Sequence, residues 1–323
     1  MSDIPPYHPP SWLPNGHLQT LFPYFFAHKP RIHYRRERWE LPDGDFLDTD
    51  WVDGNNDAPL VVLFHGLEGN SRGYYALALM DKIKQLGWRG VVVHFRGCSG
   101  EPNRLARAYF AGDSAEINYV IRRLHPDHPQ LYAVGVSLGG NALLKWLGEQ
   151  STSAVSLLQA AAAISAPIDL TAAGNALDQG WNKWLYTRHF LITLKRTALN
   201  KLKRFPNSYN AQRVRAATTL REFDDVVTAP IHGYQDADDY WSRAASKAGL
   251  INIAIPTLII NAKNDPFLPH QHLPQAHEVS THVRLCYPEH GGHVGFHSGA
   301  FPGHTNWLPT TVLEYFKNSS RKS

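Results

Sequence analysis

The chain has 323 residues, 43% of them hydrophobic and 19% charged, with a formal net charge of +4 and two cysteines, Cys98 and Cys286. That length is enough for one large domain or two small ones, and the lack of any eighteen-residue apolar run excludes a membrane-spanning helix. Two cysteines beside apolar runs exclude a disulfide framework and read as buried free thiols. The proline-rich Met1–Pro14 segment lacks the pattern of a secretory signal, so the expected location is cytoplasmic.

In chain order, Trp39–Leu41 and Phe46–Val52 flank Pro42-Asp43-Gly44-Asp45 and read as a hairpin. Leu60–His65 is a continuous apolar strand, Tyr74–Leu86 a helix stopped by Gly87, and Gly90–Phe95 the next buried strand. Asp113–Leu124 has helical periodicity and is broken by Pro126 and Pro129. Leu131–Val136 is a strand, Asn141–Gln150 a helix, and Ala161–Ser165 a short strand ending at Pro167. From Ile168 to Leu250 the pattern is helical and rich in aromatic and basic residues. Strands return at Pro256–Asn261 and Val283–Tyr287, and Leu308–Lys317 closes the chain as a helix before the polar tail Asn318–Ser323.

Buried strands alternating with helices predict a mostly parallel central sheet with helices on both faces. The expectation is one domain over 1–323, with 168–250 as a helical cap inserted between sheet strands. The basic stretches Arg31–Arg36 and Lys195–Arg204 are interleaved with apolar residues and read as solvated faces. The sharper alternative is attraction to anionic lipid surfaces or acyl carriers, which makes peripheral membrane contact an open expectation. No nucleic-acid module accompanies the charge.

The most informative residues are Gly135-Val136-Ser137-Leu138-Gly139, placed between a strand and a helix. A serine on such a turn is how an α/β-hydrolase presents a nucleophile, and the flanking glycines leave room where a side chain would collide with strand or helix. A serine hydroxyl needs a base, normally a histidine held by a carboxylate, and in this fold the order is Ser, Asp or Glu, then His. Asp265 follows the strand Pro256–Asn261, and His293, on a loop with Gly291, Gly292 and Gly295, follows Val283–Tyr287. His290 is the other candidate on that loop and reads as a neighbouring donor or an exposed residue. Asp224, Asp225, Asp236, Asp238 and Asp239 are rival carboxylates in the helical segment, better suited to capping helices or pairing with arginines. The backbone amides of Leu138 and Leu67 are the expected oxyanion donors, Leu67 lying in His65-Gly66-Leu67-Glu68-Gly69. His65 reads as a brace for that loop.

The expected reaction is hydrolysis of a small-molecule carboxylic ester through an acyl-enzyme, without cofactor or metal. Transfer of the acyl group to an alcohol by the same triad is the alternative. Three other readings carry less support: a metal-dependent hydrolase built on His290, His293 and His297, a thiol nucleophile at Cys98, and a non-catalytic binding module. Trp181, Trp184, Tyr186, Phe190 and Leu191 are candidate acyl-chain contacts, although aromatics at helical spacing more often form core.

Beyond these residues, Asn15-Gly16-His17-Leu18-Gln19-Thr20, Leu41–Asp45, His94–Asn103, Arg221-Glu222-Phe223-Asp224-Asp225, Ile231-His232-Gly233-Tyr234 and His290–Phe296 form a pattern spread over nearly the whole chain. With the serine and His65–Gly69 segments, it resembles the YheT-like hydrolases of bacteria, relatives of the eukaryotic ABHD-type lipases and esterases. The resemblance implies an α/β-hydrolase fold, a charge relay on Ser137, Asp265 and His293, and activity on short- or medium-chain esters, with acyl transfer to alcohols in some relatives. The larger eukaryotic relatives carry an N-terminal membrane anchor for which no counterpart is expected here. Arg221–Asp225 is expected to be structural, an ion-paired hinge between cap and core.

Overall fold

Short runs of aliphatic side chains bounded by turn residues can bury both faces only inside a layered sheet. The computed structural model describes residues 4–319, so Met1–Asp3 and the last four residues of the polar tail lie outside the described residues. Helix α1 (Gly16–Phe26) comes first. It is followed by β1 (Arg35–Glu40), β2 (Phe46–Val52), β3 (Leu60–Phe64), α2 (Tyr74–Gln85), β4 (Arg89–Val93), α3 (Ser114–Leu124), β5 (Leu131–Val136), α4 (Leu138–Gln150) and β6 (Ala160–Ile164). A helical insertion then precedes β7 (Thr257–Ile260), β8 (Val283–Cys286) and the last helix of the chain.

The eight strands form one sheet in the order β1-β2-β4-β3-β5-β6-β7-β8. The β1–β2 and β2–β4 pairs are antiparallel, and every pair from β4 to β8 is parallel. Alternation along each strand divides the core between the two faces. Leu60, Val62 and Phe64 of β3 join α3 and α4 through Ile117, Val120 and Leu143, while Val61 and Leu63 join α2 through Met80 and Ile83.

The first strand begins four residues earlier than its apolar pattern suggests, because charge rather than burial defines it. Arg36 pairs in register with Asp50, and Arg38 with Asp48, and each couple is also an ion pair, at 2.7 and 2.8 Å. Opposite charges facing each other across an antiparallel pair stabilise that register.

Between β6 and β7 the chain is helical throughout: α5 (Leu170–Leu177), α6 (Gly180–Asn182), α7 (Arg188–Arg204), α8 (Ala211–Ala216), α9 (Leu220–Phe223), α10 (Ala229–Ile231) and α11 (Ala237–Ala244). Leu191, Val214, Phe223 and Val227 give this insertion a small core of its own. Helix α12 (Trp307–Ser319) packs on the α2 side of the sheet through Val312 and Phe316. Among the described residues no helix is long and apolar enough to cross a membrane.

Candidate active site

Ser137 occupies the corner between β5 and α4 with φ 53° and ψ −121°, a left-handed conformation that L residues avoid. Its amide donates to the Ile164 carbonyl at 2.8 Å, which ties the corner to the next strand. The flanking glycines are forced by contact. A Cβ on Gly135 would lie 2.5 Å from the Gly139 carbonyl oxygen, and one on Gly139 would lie 2.4 Å from that of Phe64. The corner leaves Ser137 Oγ 2.9 Å from His293 Nε2.

Behind the imidazole, His293 Nδ1 lies 3.0 Å from Asp265 Oδ2 and 3.2 Å from Oδ1. Asp265 is buried, and its Oδ1 also accepts the Phe267 amide at 2.8 Å. With the carboxylate accepting at Nδ1, that nitrogen carries the proton and Nε2 is left to accept from the serine hydroxyl. The Phe267 ring stacks on the imidazole with centroids 3.8 Å apart and planes 13° apart, which limits the plane in which His293 can turn.

The histidine loop is held by α1, a helix that no apolar periodicity in the sequence announces. Thr20 Oγ1 accepts the His293 amide at 2.8 Å, and Gln19 Oε1 accepts from the Gly291 amide at 2.8 Å and from Asn264 Nδ2 at 2.9 Å. Asn264 Oδ1 in turn accepts the Gly292 amide at 3.0 Å, so the Asp265 and His293 loops share one network. The docking is tight: a Cβ on Gly295 would sit 2.0 Å from the Gln19 carbonyl oxygen. The sequence signal for these positioning residues was Asn15–Thr20, a segment without a chemical role of its own.

Leu67 and Leu138 line the same cavity as Ser137. Around Leu67 the amides of Gly66, Glu68 and Gly69 are taken by Tyr75 Oη, Tyr109 Oη and the Gly66 carbonyl. Among the described residues no acceptor is within hydrogen-bond reach of the Leu67 amide. Leu138 is the first residue of α4, where amides have no intrahelical acceptor and the helix dipole is positive. His65 braces this loop: Nδ1 donates to the Gly66 carbonyl at 2.8 Å, and Nε2 accepts the Phe95 amide at 3.1 Å.

The cavity over Ser137 has a volume of about 180 Å³. Its lining is mostly apolar, including Leu170, Leu177, Phe190, Phe223 and Trp241, and also carries the polar side chains Glu68, Arg96, Asn103 and Lys201.

A sequence profile of the family described as alpha/beta hydrolase fold matches residues 59–300. The chain belongs to the α/β-hydrolase fold family. It is 40% identical over 93% of its length to YheT of Escherichia coli (strain K12), whose name provisionally makes it an esterase, and covers 90% of that protein. It is 32% identical over 96% of its length to human phospholipase ABHD3, covering 78% of that chain. Among solved structures, the esterase EaEST from Exiguobacterium antarcticum superposes with a TM-score of 0.56 at 20% identity, over 88% of this chain and 100% of that one. That likeness is one of fold.

Within this α/β-hydrolase fold the remaining candidates go elsewhere. His290 is exposed and touches Asn264 at 3.3 Å, and His297 is buried with Nε2 donating to the Pro302 carbonyl at 2.7 Å. The three histidines of the metal alternative therefore have separate partners. Burial pushes the Cys98 thiol up, against nucleophilic use. Of the candidate acyl contacts only Phe190 lines the cavity. Trp181 and Trp184 are exposed, Leu191 belongs to the insertion's own core, and Tyr186 packs on Phe267 with centroids 4.8 Å apart. The aromatic side chains that do wall the cavity with Phe190 are others, among them Tyr109, Phe110, Phe223, Trp241 and Phe267. The Arg221–Asp225 segment bonds inside the insertion, not across to the sheet: Arg221 pairs with Asp238 at 2.6 Å, Asp224 accepts from Trp241 Nε1 at 2.8 Å, and Asp225 accepts the Ala237 amide at 2.7 Å. Asp224 also lines the cavity, and burial raises its pKa to about 6.

Proposed function

We propose that the protein is a serine esterase that cleaves short- to medium-chain carboxylic esters through Ser137, His293 and Asp265. The observation that carries this reading is the 2.9 Å contact of His293 Nε2 with a serine held in strained backbone at a strand–helix corner. Kinship with proteins named as esterase and phospholipase supports the same class.

Ser137 Oγ attacks the ester carbonyl while His293 Nε2 takes its proton, and Asp265 stabilises the imidazolium through Nδ1–H. The amides of Leu67 and Leu138 receive the oxyanion. Collapse of the tetrahedral species breaks the bond to the alcohol oxygen, which leaves with the proton from His293. Water then enters and attacks the acyl carbonyl while giving a proton to His293, which passes that proton to Ser137 Oγ as the acyl–oxygen bond breaks and the acid leaves. Residues 168–250 act as a cap on a single α/β-hydrolase domain, and the apolar lining takes the acyl chain. No step calls on a cofactor.

The test is hydrolysis of a p-nitrophenyl ester series from two to sixteen carbons. Turnover should peak at short or medium chains, and Ser137→Ala should lower it by at least about a thousandfold while the protein stays folded. Undiminished turnover in folded Ser137→Ala refutes the nucleophile assignment.

A further inference from the structure

A second cavity adjoins the one over Ser137, and the two share Glu68, Asn103, Thr197 and Lys201 as walls. The second is larger, about 870 Å³, and lies between the loop after β4 and one side of α7. Six cationic side chains line it, Arg36, Arg72, Arg196, Lys201, Lys203 and Arg204, against two carboxylates, Glu68 and Glu101.

Most of that positive charge has no counter-ion. Arg36 is paired with Asp50, and Glu101 with Arg38 at 2.9 Å, so these two offset nothing else. Lys201 donates only to neutral oxygens, Asn103 Oδ1 at 2.9 Å and the Arg107 carbonyl at 2.8 Å. Arg204 donates to the carbonyls of Asn103 and Arg104. Among the described residues no carboxylate is within ion-pair distance of Arg72, Arg196, Lys201, Lys203 or Arg204. A folded surface normally intersperses its charges. A walled chamber of one sign focuses field on whatever anion enters it. Burial lowers the Lys201 pKa to about 8; the Arg204 and Arg96 guanidinium groups push the same way, and the Asp45 carboxylate opposes them without forming an ion pair.

An ester over Ser137 has two halves to place. The acyl chain goes to the apolar lining, because burial there removes hydrocarbon from water. The alcohol half is left with the polar lining, where Glu68, Asn103 and Lys201 are shared with the basic chamber. We propose that this chamber is a leaving-group subsite for esters whose alcohol carries a phosphate, with Lys201 at its threshold and Arg196, Lys203 and Arg72 along its walls. The proposal rests on the serine-esterase reading. Only the carboxylic ester C–O bond breaks. The alcohol oxygen takes the proton held by His293, and the phosphate leaves intact as part of the alcohol.

The experiment compares 1-butyrylglycerol 3-phosphate with 1-butyrylglycerol, matched except for the phosphate. The expected kcat/KM is about tenfold or more in favour of the phosphate ester at low ionic strength, equivalent to one charge-assisted contact. The preference should shrink with added salt. Lys201→Met should bring the ratio of the two constants towards one. Since Lys201 is half-buried, the exposed pair Arg196→Gln/Lys203→Gln provides a second variant that should lower the same ratio. Equal kcat/KM for both esters in the wild type, with Ser137-dependent cleavage of each, overturns the subsite and leaves the esterase intact. If no ester is cleaved, the esterase reading falls, and calorimetric binding of glycerol 3-phosphate to the wild type still decides the chamber. Salt-sensitive binding lost in the double variant upholds the anion site, and no binding at millimolar concentration overturns it.

Discussion

His65 has both ring nitrogens engaged inside the protein, one donating to Gly66 and the other accepting from Phe95, and burial holds its pKa down at about 3. Protonating Nε2 would break the bond from Phe95 and place a charge in a site without a carboxylate partner. In the unfolded chain the same imidazole titrates near 6.5, so as pH falls the unfolded state takes up the proton first. The neutral ring therefore contributes stability above about pH 6.5, and that contribution is lost progressively as pH falls towards 3. Urea denaturation of wild type and His65→Gln tests this. The stability advantage of the wild type should narrow between pH 7 and pH 4.5, whereas a constant gap would mean that the imidazole is free to charge in the folded state. Ser137 illustrates a different constraint. Its left-handed backbone costs on the order of 1–3 kcal/mol, and it is held by its bond to Ile164 and by the close contacts at Gly135 and Gly139.

At the scale of elements, α1 determines where His293 sits. Thr20→Val keeps the shape of the side chain but removes the acceptor of the His293 amide, and an unpaired buried donor costs about 1–3 kcal/mol. The loop can relieve that cost by moving, which lengthens the Nε2–Oγ contact. The expected result is about a tenfold drop in kcat with KM little changed, restored by Thr20→Ser. A change in KM alone would show that α1 shapes the binding cavity and not the base. This helix also marks where sequence reading fails. Its buried residues are Gln19, Thr20 and Pro23, while Leu18, Tyr24, Phe25 and Phe26 are exposed, the reverse of an amphipathic pattern. The strands were legible because each is an apolar run closed by turn residues. Ser137, Asp265 and His293 were legible as a set because each follows a strand, and the parallel sheet brings those strand ends to one edge. Strand order and the true cavity wall depend on tertiary packing and leave no local trace, which is why Trp181 and Trp184 looked like acyl contacts and are exposed instead.

Seen across the molecule, α7 is a partition between two compartments of opposite character. Phe190, Leu194, Thr197, Ala198 and Lys201 recur at helical spacing and line the cavity over Ser137, while Arg196, Asn200, Lys203 and Arg204 face the basic chamber. If the acyl chain and the phosphate-bearing alcohol lie as proposed, the same helix bounds both sides of a bound ester, with Lys201 where they meet, and acyl-chain selection is a property of one face alone. Ala198 belongs to the insertion's buried core and also lines the cavity, so Ala198→Phe places a ring against a space of about 180 Å³, at a packing cost of about 1–3 kcal/mol in stability. Longer chains lose their room first. On the p-nitrophenyl series, kcat/KM for the octanoate should fall by more than about tenfold relative to the acetate, since eight carbons forfeit several methylene burials of about 0.8 kcal/mol each and two carbons forfeit none. A parallel loss at every chain length would mean that the ring disturbs Ser137 or His293, and that the acyl chain runs along a different wall.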